Sequence, residues 1–180
     1  DTELIDLSTA TGYGKTNGDY YHWEDTHDGP ELFIAEVSNL TIRGNGEDHN
    51  ANVISSMPRY SNVLNFFNCS NIMVKGLTVG HTEAPGECVG GVLFFLFCQD
   101  ILVEDCGLFG CGTVGVRGEN SKDLQIINND IYDCTVGGVD LAFCGDANVD
   151  GNTFRNLEIF TFRIYGCGNV TCNGEPVFDS

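Results

Sequence analysis

Basic residues are scarce in this chain: lysine and arginine number 8 against 26 aspartates and glutamates, a formal net charge of −18. A surface so poor in cations repels phosphate backbones and anionic headgroups, so nucleic acid and membrane surfaces are not expected partners. The same charge suits a solvated exterior or loose cation binding. Long apolar runs are missing too. Nothing approaches the roughly 20 residues of a membrane span, and the start at Asp1 has neither a basic n-region nor an apolar h-region. Membrane insertion is therefore not expected, and the chain reads as a soluble mature protein or excised domain. No segment keeps a helical period. At 180 residues a second domain is not required, and one core is expected over residues 1–180.

What is present is punctuation. Gly, Asn and Asp separate short apolar stretches such as Leu40-Thr41-Ile42, Ile72-Met73-Val74, Ile101-Leu102-Val103 and Leu124-Gln125-Ile126, which read as brief strands between turns. The Asn or Asp before each recurs at Asn39, Asn71, Asp100, Asp123, Asp146 and Asn169, in steps of 32, 29, 23, 23 and 23. A fixed period in the twenties filled by strands signals stacked coils of one solenoid. Other columns keep the register. Cys88, Cys111, Cys134 and Leu157 form one, and Cys98, Ser121, Cys144 and Cys167 another. The apolar columns Val79, Leu108, Ile131, Phe154, Val177 and Leu93, Val116, Val139, Phe162 are expected to point inward.

The expected fold is thus all-β: a single-stranded parallel β-helix of about six coils of ~23 residues. A leucine-rich repeat is set aside because its signature is absent and no coil has room for a helix. Asn or Asp at each bend tolerates the left-handed conformation, and Asn129 and Asn152 are placed to form an amide ladder. Residues 1–37, with the run Tyr20-Tyr21-His22-Trp23, are expected as an irregular cap over the solenoid end, and residues 38–178 as regular coils. Glu175-Pro176-Val177-Phe178 is expected to end the last coil.

The unit Cys-x-Asn/Asp-Ile-x-Val-x-x-Cys/Gly-x-Leu, seen in Cys98 to Leu108, resembles the right-handed parallel β-helix repeats of the pectate-lyase-like superfamily. The resemblance covers residues 38 to 178. Pro58-Arg59-Tyr60, Gly80-His81-Thr82 and Gly110-Cys111-Gly112-Thr113 look most like secreted or cell-surface bacterial members. It implies a right-handed coil and an extracellular setting. It implies little about chemistry, since the superfamily includes lyases, hydrolases, esterases, phage tailspikes and non-catalytic surface modules.

Nine cysteines leave at least one unpaired. The column Cys88, Cys111, Cys134 suits buried free thiols or a bridge between adjacent coils. Thiols are favoured, because in-register strands aim Cβ atoms the same way. Cys106/Cys111 and Cys167/Cys172 lack the spacing of a structural zinc site, so no metal is expected.

If Leu93, Val116, Val139 and Phe162 face inward, Phe94, Arg117, Asp140 and Arg163 face outward from the same strands. In the sequence register this is read as the only charged column of mixed sign. Its arginines could grip a uronate carboxylate while the ring packs on a sugar, or the column is a surface ladder offsetting like charge. The loop Gly80 to Glu87 lies next to it, so His81, Glu83 and Glu87 are candidate neighbours, with His81 either an acid or base or a structural hydrogen-bond partner. Arg59 and Tyr60 are candidates to extend that face. Asp130, Asp133, Asp140 and Asp150 fall in different columns, so no catalytic carboxylate pair is assembled by spacing.

Two functions remain in view: a carbohydrate-binding surface module without catalysis, acidic polysaccharide being one ligand, and a small lyase or glycoside hydrolase acting on uronate-containing glycans. No cofactor is expected, calcium being the nearest candidate. Flanking domains or end-to-end oligomers are compatible. Ice binding is set aside because no column stacks threonines. Sequons at Asn39, Asn68 and Asn169 fall where turns already favour Asn.

Overall fold

The computed structural model describes residues 5–6, 21–45, 48–82, 89–110 and 113–179. Strands β1 (Ile5–Asp6), β2 (Tyr21–Asp25) and β3 (Pro30–Ala35) precede a three-strand repeat. The first repeat is β4 (Ser38–Arg43), β5 (Val53–Ser56) and β6 (Leu64–Phe67), and the second is β7 (Ser70–Lys75), β8 (Thr78–His81) and β9 (Leu93–Leu96). The third is β10 (Gln99–Glu104), β11 (Gly107–Phe109) and β12 (Val114–Glu119), and the fourth β13 (Lys122–Ile127), β14 (Asp130–Tyr132) and β15 (Gly137–Ala142). The fifth is β16 (Ala147–Asp150), β17 (Thr153–Arg155) and β18 (Phe160–Tyr165), followed by β19 (Val170–Cys172) and β20 (Glu175–Val177).

Each repeat gives one strand to each of three sheets. Sheet C orders β4, β7, β10, β13, β16 and β19; sheet A orders β1, β5, β8, β11, β14 and β17; sheet B orders β3, β6, β9, β12, β15 and β18. Neighbours in these series pair in parallel, so the molecule is all-β and mostly parallel. Antiparallel pairing occurs only where β2 joins β3 and β20 joins β19, among the described residues. No α-helix occurs among them either, only a single 3₁₀ turn at His49–Ala51.

The pairing register follows the spacing of the turn residues. Ser38 pairs with Ser70, Ser70 with Gln99 and Gln99 with Lys122, then Leu124 with Ala147 and Ala147 with Val170, steps of 32, 29, 23, 23 and 23. Two apolar columns pair as expected: Leu93, Val116, Val139 and Phe162 on sheet B, and Val79, Leu108, Ile131 and Phe154 on sheet A. Their first three members are fully buried in each case, inside one continuous core. Each such side chain contributes about 1.5–3 kcal/mol by leaving water.

The corners have a simple grammar. From β7 onward the turn between sheets C and A is two residues, Gly76-Leu77, Asp105-Cys106, Asn128-Asn129 or Gly151-Asn152, and the first always has positive φ; the earlier connection from β4 to β5 runs nine residues, 44–52. Between B and C the first corner residue is also left-handed: Glu36, Asn68, Phe97, Asn120, Phe143 and Gly166. The second, Val37 apart, is a cysteine or serine whose side chain bonds the backbone of its neighbours. Cys98 N–H donates to Ser121 Oγ (2.9 Å), Ser121 Oγ–H donates to the carbonyl of Phe95 (3.2 Å), and the Cys98 thiol donates to the carbonyl of Phe66 (3.3 Å). At the C-to-A corner Asn129 Oδ1 accepts from Cys106 N (2.9 Å) and Asn129 Nδ2 donates to Val103 O (3.0 Å) and Asn152 Oδ1 (2.9 Å). Buried polarity at these two corners is thereby satisfied, whereas the buried Nδ2 of Asn52, just ahead of β5, has no hydrogen-bond partner among the described residues.

Several expectations change. The stretch read as an irregular cap contains β3, which already belongs to sheet B through its pairing with β6. Val177 leaves the Val79 column: β20 folds back on β19, so Val177 pairs with Val170 in sheet C. Asn39, Asn71, Asp100 and Asp123 are left-handed, but Asp146 and Asn169 are not among the positive-φ residues. In those two repeats a glycine, Gly145 or Gly168, precedes the turn residue. Of the cysteine column, Cys88 and Cys111 lie outside the described residues, and Cys134 is buried. Cys69, Cys98, Cys106, Cys144, Cys167 and Cys172 are free thiols. Burial pushes Cys106 and Cys144 up to about 11, and Cys98 is held protonated by Cys69 beside it and by burial.

Candidate functional site

Alternation along β9, β12, β15 and β18 puts Phe94, Arg117, Asp140 and Arg163 in one outward column, with Phe94 paired to Arg117, Arg117 to Asp140 and Asp140 to Arg163. Phe33 and Asn65 continue it on β3 and β6. The four candidates therefore meet, but not as an open clamp. Arg163 forks onto Asp140, Nε to Oδ1 at 2.9 Å and Nη2 to Oδ2 at 2.6 Å, and its guanidinium lies 4.4 Å from the centre of the Phe160 ring. Arg117 bonds Glu119 on its own strand and lies 5.4 Å from the centre of the Phe94 ring. Hydrogen bonding to Asp140 raises the already high Arg163 pKa. Each arginine thus has a carboxylate and an aromatic partner.

That pattern is repeated on sheet A, where Arg155 forks onto Asp130 at 3.2 and 2.8 Å over the Tyr132 ring, 3.8 Å away. Nor is the sheet-B column unique in carrying both signs. Arg43, Lys75 and Glu104 pair in register on sheet C, with Asp150 two repeats further on. The longer early steps of 32 and 29 residues hide this column from a 23-residue count. It fronts a cavity of about 920 Å³ lined by Thr41, Arg43, His49, Met73, Lys75 and Asp105. Lys75 is bound there by Glu104 (2.5 Å) and Asp105 (3.5 Å), which compensates its charge.

His81 does not border the arginine column. It ends β8 in sheet A, is 2% exposed, and its Nε2 lies 2.9 Å from the carbonyl oxygen of Ser61. Burial lowers its pKa. Glu83 and Glu87 lie outside the described residues. The backbone N–H groups of Arg59 and Tyr60 donate to Asp28 (2.6 and 3.2 Å), and the Tyr60 ring meets His27 edge-on at 5.0 Å. Both therefore fasten the corner between sheets A and B to the β2–β3 turn. The four aspartates are engaged: Asp130 and Asp140 by arginines, Asp133 by Asn156 (2.8 Å), and Asp150 by Gly174 N–H (3.2 Å).

Two features escaped the spacing argument. Glu31 accepts from Asn62 N–H (2.9 Å) and Asn65 Nδ2 (3.2 Å), beside the head of the Phe94 column. Burial raises its pKa against those bonds, with Glu24 adding repulsion. It lies in the segment read as a cap. The second is an aromatic edge where sheet B turns into C. Phe97 and Phe143 hold left-handed corners with φ of 55° and 54°, are 52% and 56% exposed, and meet Phe67 and Tyr165 edge-on at 6.0 and 5.1 Å. A left-handed turn costs a side-chain-bearing residue about 1–2 kcal/mol.

No protein-family profile matches the chain, and no curated protein matches it by sequence. Among solved structures it is similar to the crystal structure of a "putative glycosyl hydrolase" from Parabacteroides merdae, with a TM-score of 0.53 and 13% identity over 82% of this chain and 81% of that one. At that identity the likeness is one of fold, an all-β architecture rich in parallel strands. No helix among the described residues is long and apolar enough to cross a membrane.

Proposed function

We propose that the chain is a right-handed, single-stranded parallel β-helix of the pectate-lyase-like kind, secreted or displayed on a bacterial surface, that binds carbohydrate on the outer face of sheet B without catalysing its cleavage. The observation that carries this reading is the face itself, where the Phe94 and Phe160 rings lie beside Arg117, Asp140 and Arg163. Rings pack on sugar faces, while forked ion pairs hold N–H and C=O groups in fixed positions for hydroxyls. The hydrolase named among the structural neighbours is consistent with a carbohydrate ligand. The reading needs no cofactor. Because both arginines already have carboxylate partners, an acidic glycan has less to gain here than their charge alone suggests. A glycan array with the intact chain tests it: binding without release of shorter products is expected, and silence across neutral and acidic glycans would overturn it.

Glu31 supports a second reading, a small hydrolase or lyase. A carboxyl group whose pKa is raised by burial is what a general acid requires. Release of reducing or unsaturated ends by the wild type, lost in Glu31→Gln, would establish catalysis.

A further inference from the structure

Six corners connect sheet B to sheet C, and their first residues do the same backbone job. Asn68, Asn120 and Gly166 are residues that adopt the left-handed region readily, whereas Phe97 and Phe143 are bulky residues for which it is an outlier. Both rings are also more than half exposed, so folding gains little from them. Backbone strain combined with exposed aromatic surface, occurring twice on one edge, asks for a use outside the fold.

The geometry points to a stacking platform: we propose that Phe67, Phe97, Phe143 and Tyr165 form a ridge on which an uncharged polysaccharide lies along the stack of repeats. This rests on the carbohydrate reading above, extends its surface from the outer face of sheet B to the adjoining edge, and names the substrate class. Phe97 and Phe143 are two repeats apart, about 10 Å at ordinary strand spacing, comparable to a disaccharide unit. Each is propped edge-on by a second ring, Phe67 at 82° and Tyr165 at 81°. Between them Glu119 and Asn120 supply hydrogen-bond acceptors and donors for hydroxyls. Glu119 and the net charge of −18 disfavour a polyanion. A second copy of the chain is disfavoured by the same charge, and the rings are interrupted by a carboxylate and amides where a protein interface has a contiguous apolar centre.

The test is the double variant Phe97→Asn/Phe143→Asn in the full chain. Asparagine already fills this corner at positions 68 and 120, so the variant is expected to melt at or above the wild-type temperature. Titration calorimetry with xylan, mixed-linkage β-glucan, galactomannan and polygalacturonate should show wild-type binding to a neutral polymer, weakened at least about tenfold in the folded double variant. Full affinity in that variant, with loss in Arg117→Ala, would overturn the ridge while leaving the carbohydrate reading intact. Binding to polygalacturonate alone would do the same. No binding to any polymer would overturn both. Sedimentation of a wild-type dimer that the double variant converts to monomer would reassign the ridge to self-association and overturn the proposal.

Discussion

The carboxylate of Asp140 is the seat of Arg163: two parallel hydrogen bonds of 2.9 and 2.6 Å join residues 23 positions apart in sequence and adjacent in sheet B. The pair sits partly sheltered, Asp140 showing 13% of its side chain and Arg163 52%. Arg155 and Asp130 repeat the arrangement on sheet A. A device used on two faces serves the stack first and a ligand second.

With the Arg163 side chain half exposed, the pair should contribute little to stability. A double-mutant cycle with Asp140→Ala and Arg163→Ala, read by urea unfolding, is expected to give a coupling below about 1 kcal/mol that shrinks further in high salt.

The buried corners should be far more sensitive. Asn129→Leu strands Cys106 N–H and the Val103 carbonyl and is expected to cost about 3 kcal/mol in the same assay. Ser121→Cys is expected to be nearly neutral, because Cys167 Sγ already accepts from Cys144 N–H (3.4 Å) at the equivalent corner. Ser121→Val, which offers no acceptor to Cys98 N–H, should cost about 1–2 kcal/mol.

His81 sets the acid limit of stability. Burial holds its folded pKa below the ordinary histidine value of 6.5, so below 6.5 the unfolded chain takes up a proton that the folded chain refuses. Stability from this residue is complete above pH 6.5 and falls as pH drops from there toward the lowered folded value. Melting curves between pH 7.5 and pH 5 should show that decline, and His81→Gln should flatten it.

Glu31 works in the opposite sense. Its folded pKa lies above the ordinary glutamate value of 4.5, so the folded state holds the proton longer, and stability falls as pH rises from 4.5 through the raised value. Glu31→Gln keeps an acceptor for Asn62 and Asn65 and removes that penalty. Relative to wild type it should be more stable at pH 7 than at pH 4, measured by thermal melts at the two values.

The axial order was legible because stacking in register makes each neighbour a fixed number of residues away. Val116 on Val139 and Arg117 on Asp140 follow from counting. Lateral relations do not. Whether His81 faces solvent or Ser61 depends on how the chain rounds the corner between sheets A and B, and periodicity carries no information on that. The β2–β3 hairpin and the reversal of β20 lie beyond the repeat, and so did Glu31. Phe97 and Phe143 were countable as a column; their exposure was not, since it comes from the left-handed turn that aims them outward.

Insertions and deletions meet two kinds of corner. The C-to-A turns after β7, β10, β13 and β16 are all two residues long, while the connection from sheet A to B runs from four residues after β11 to the eleven between His81 and Leu93. Loss of one residue at a two-residue corner would act as a structural frameshift, turning every later core side chain toward solvent until the chain found slack. The A-to-B side supplies that slack. From β7 onward, change in length, whether by drift or by grafting a foreign loop between Asp133 and Val136, should therefore accumulate along that flank and leave the other two faces in frame, whereas the first repeat also takes up length in the nine residues between β4 and β5.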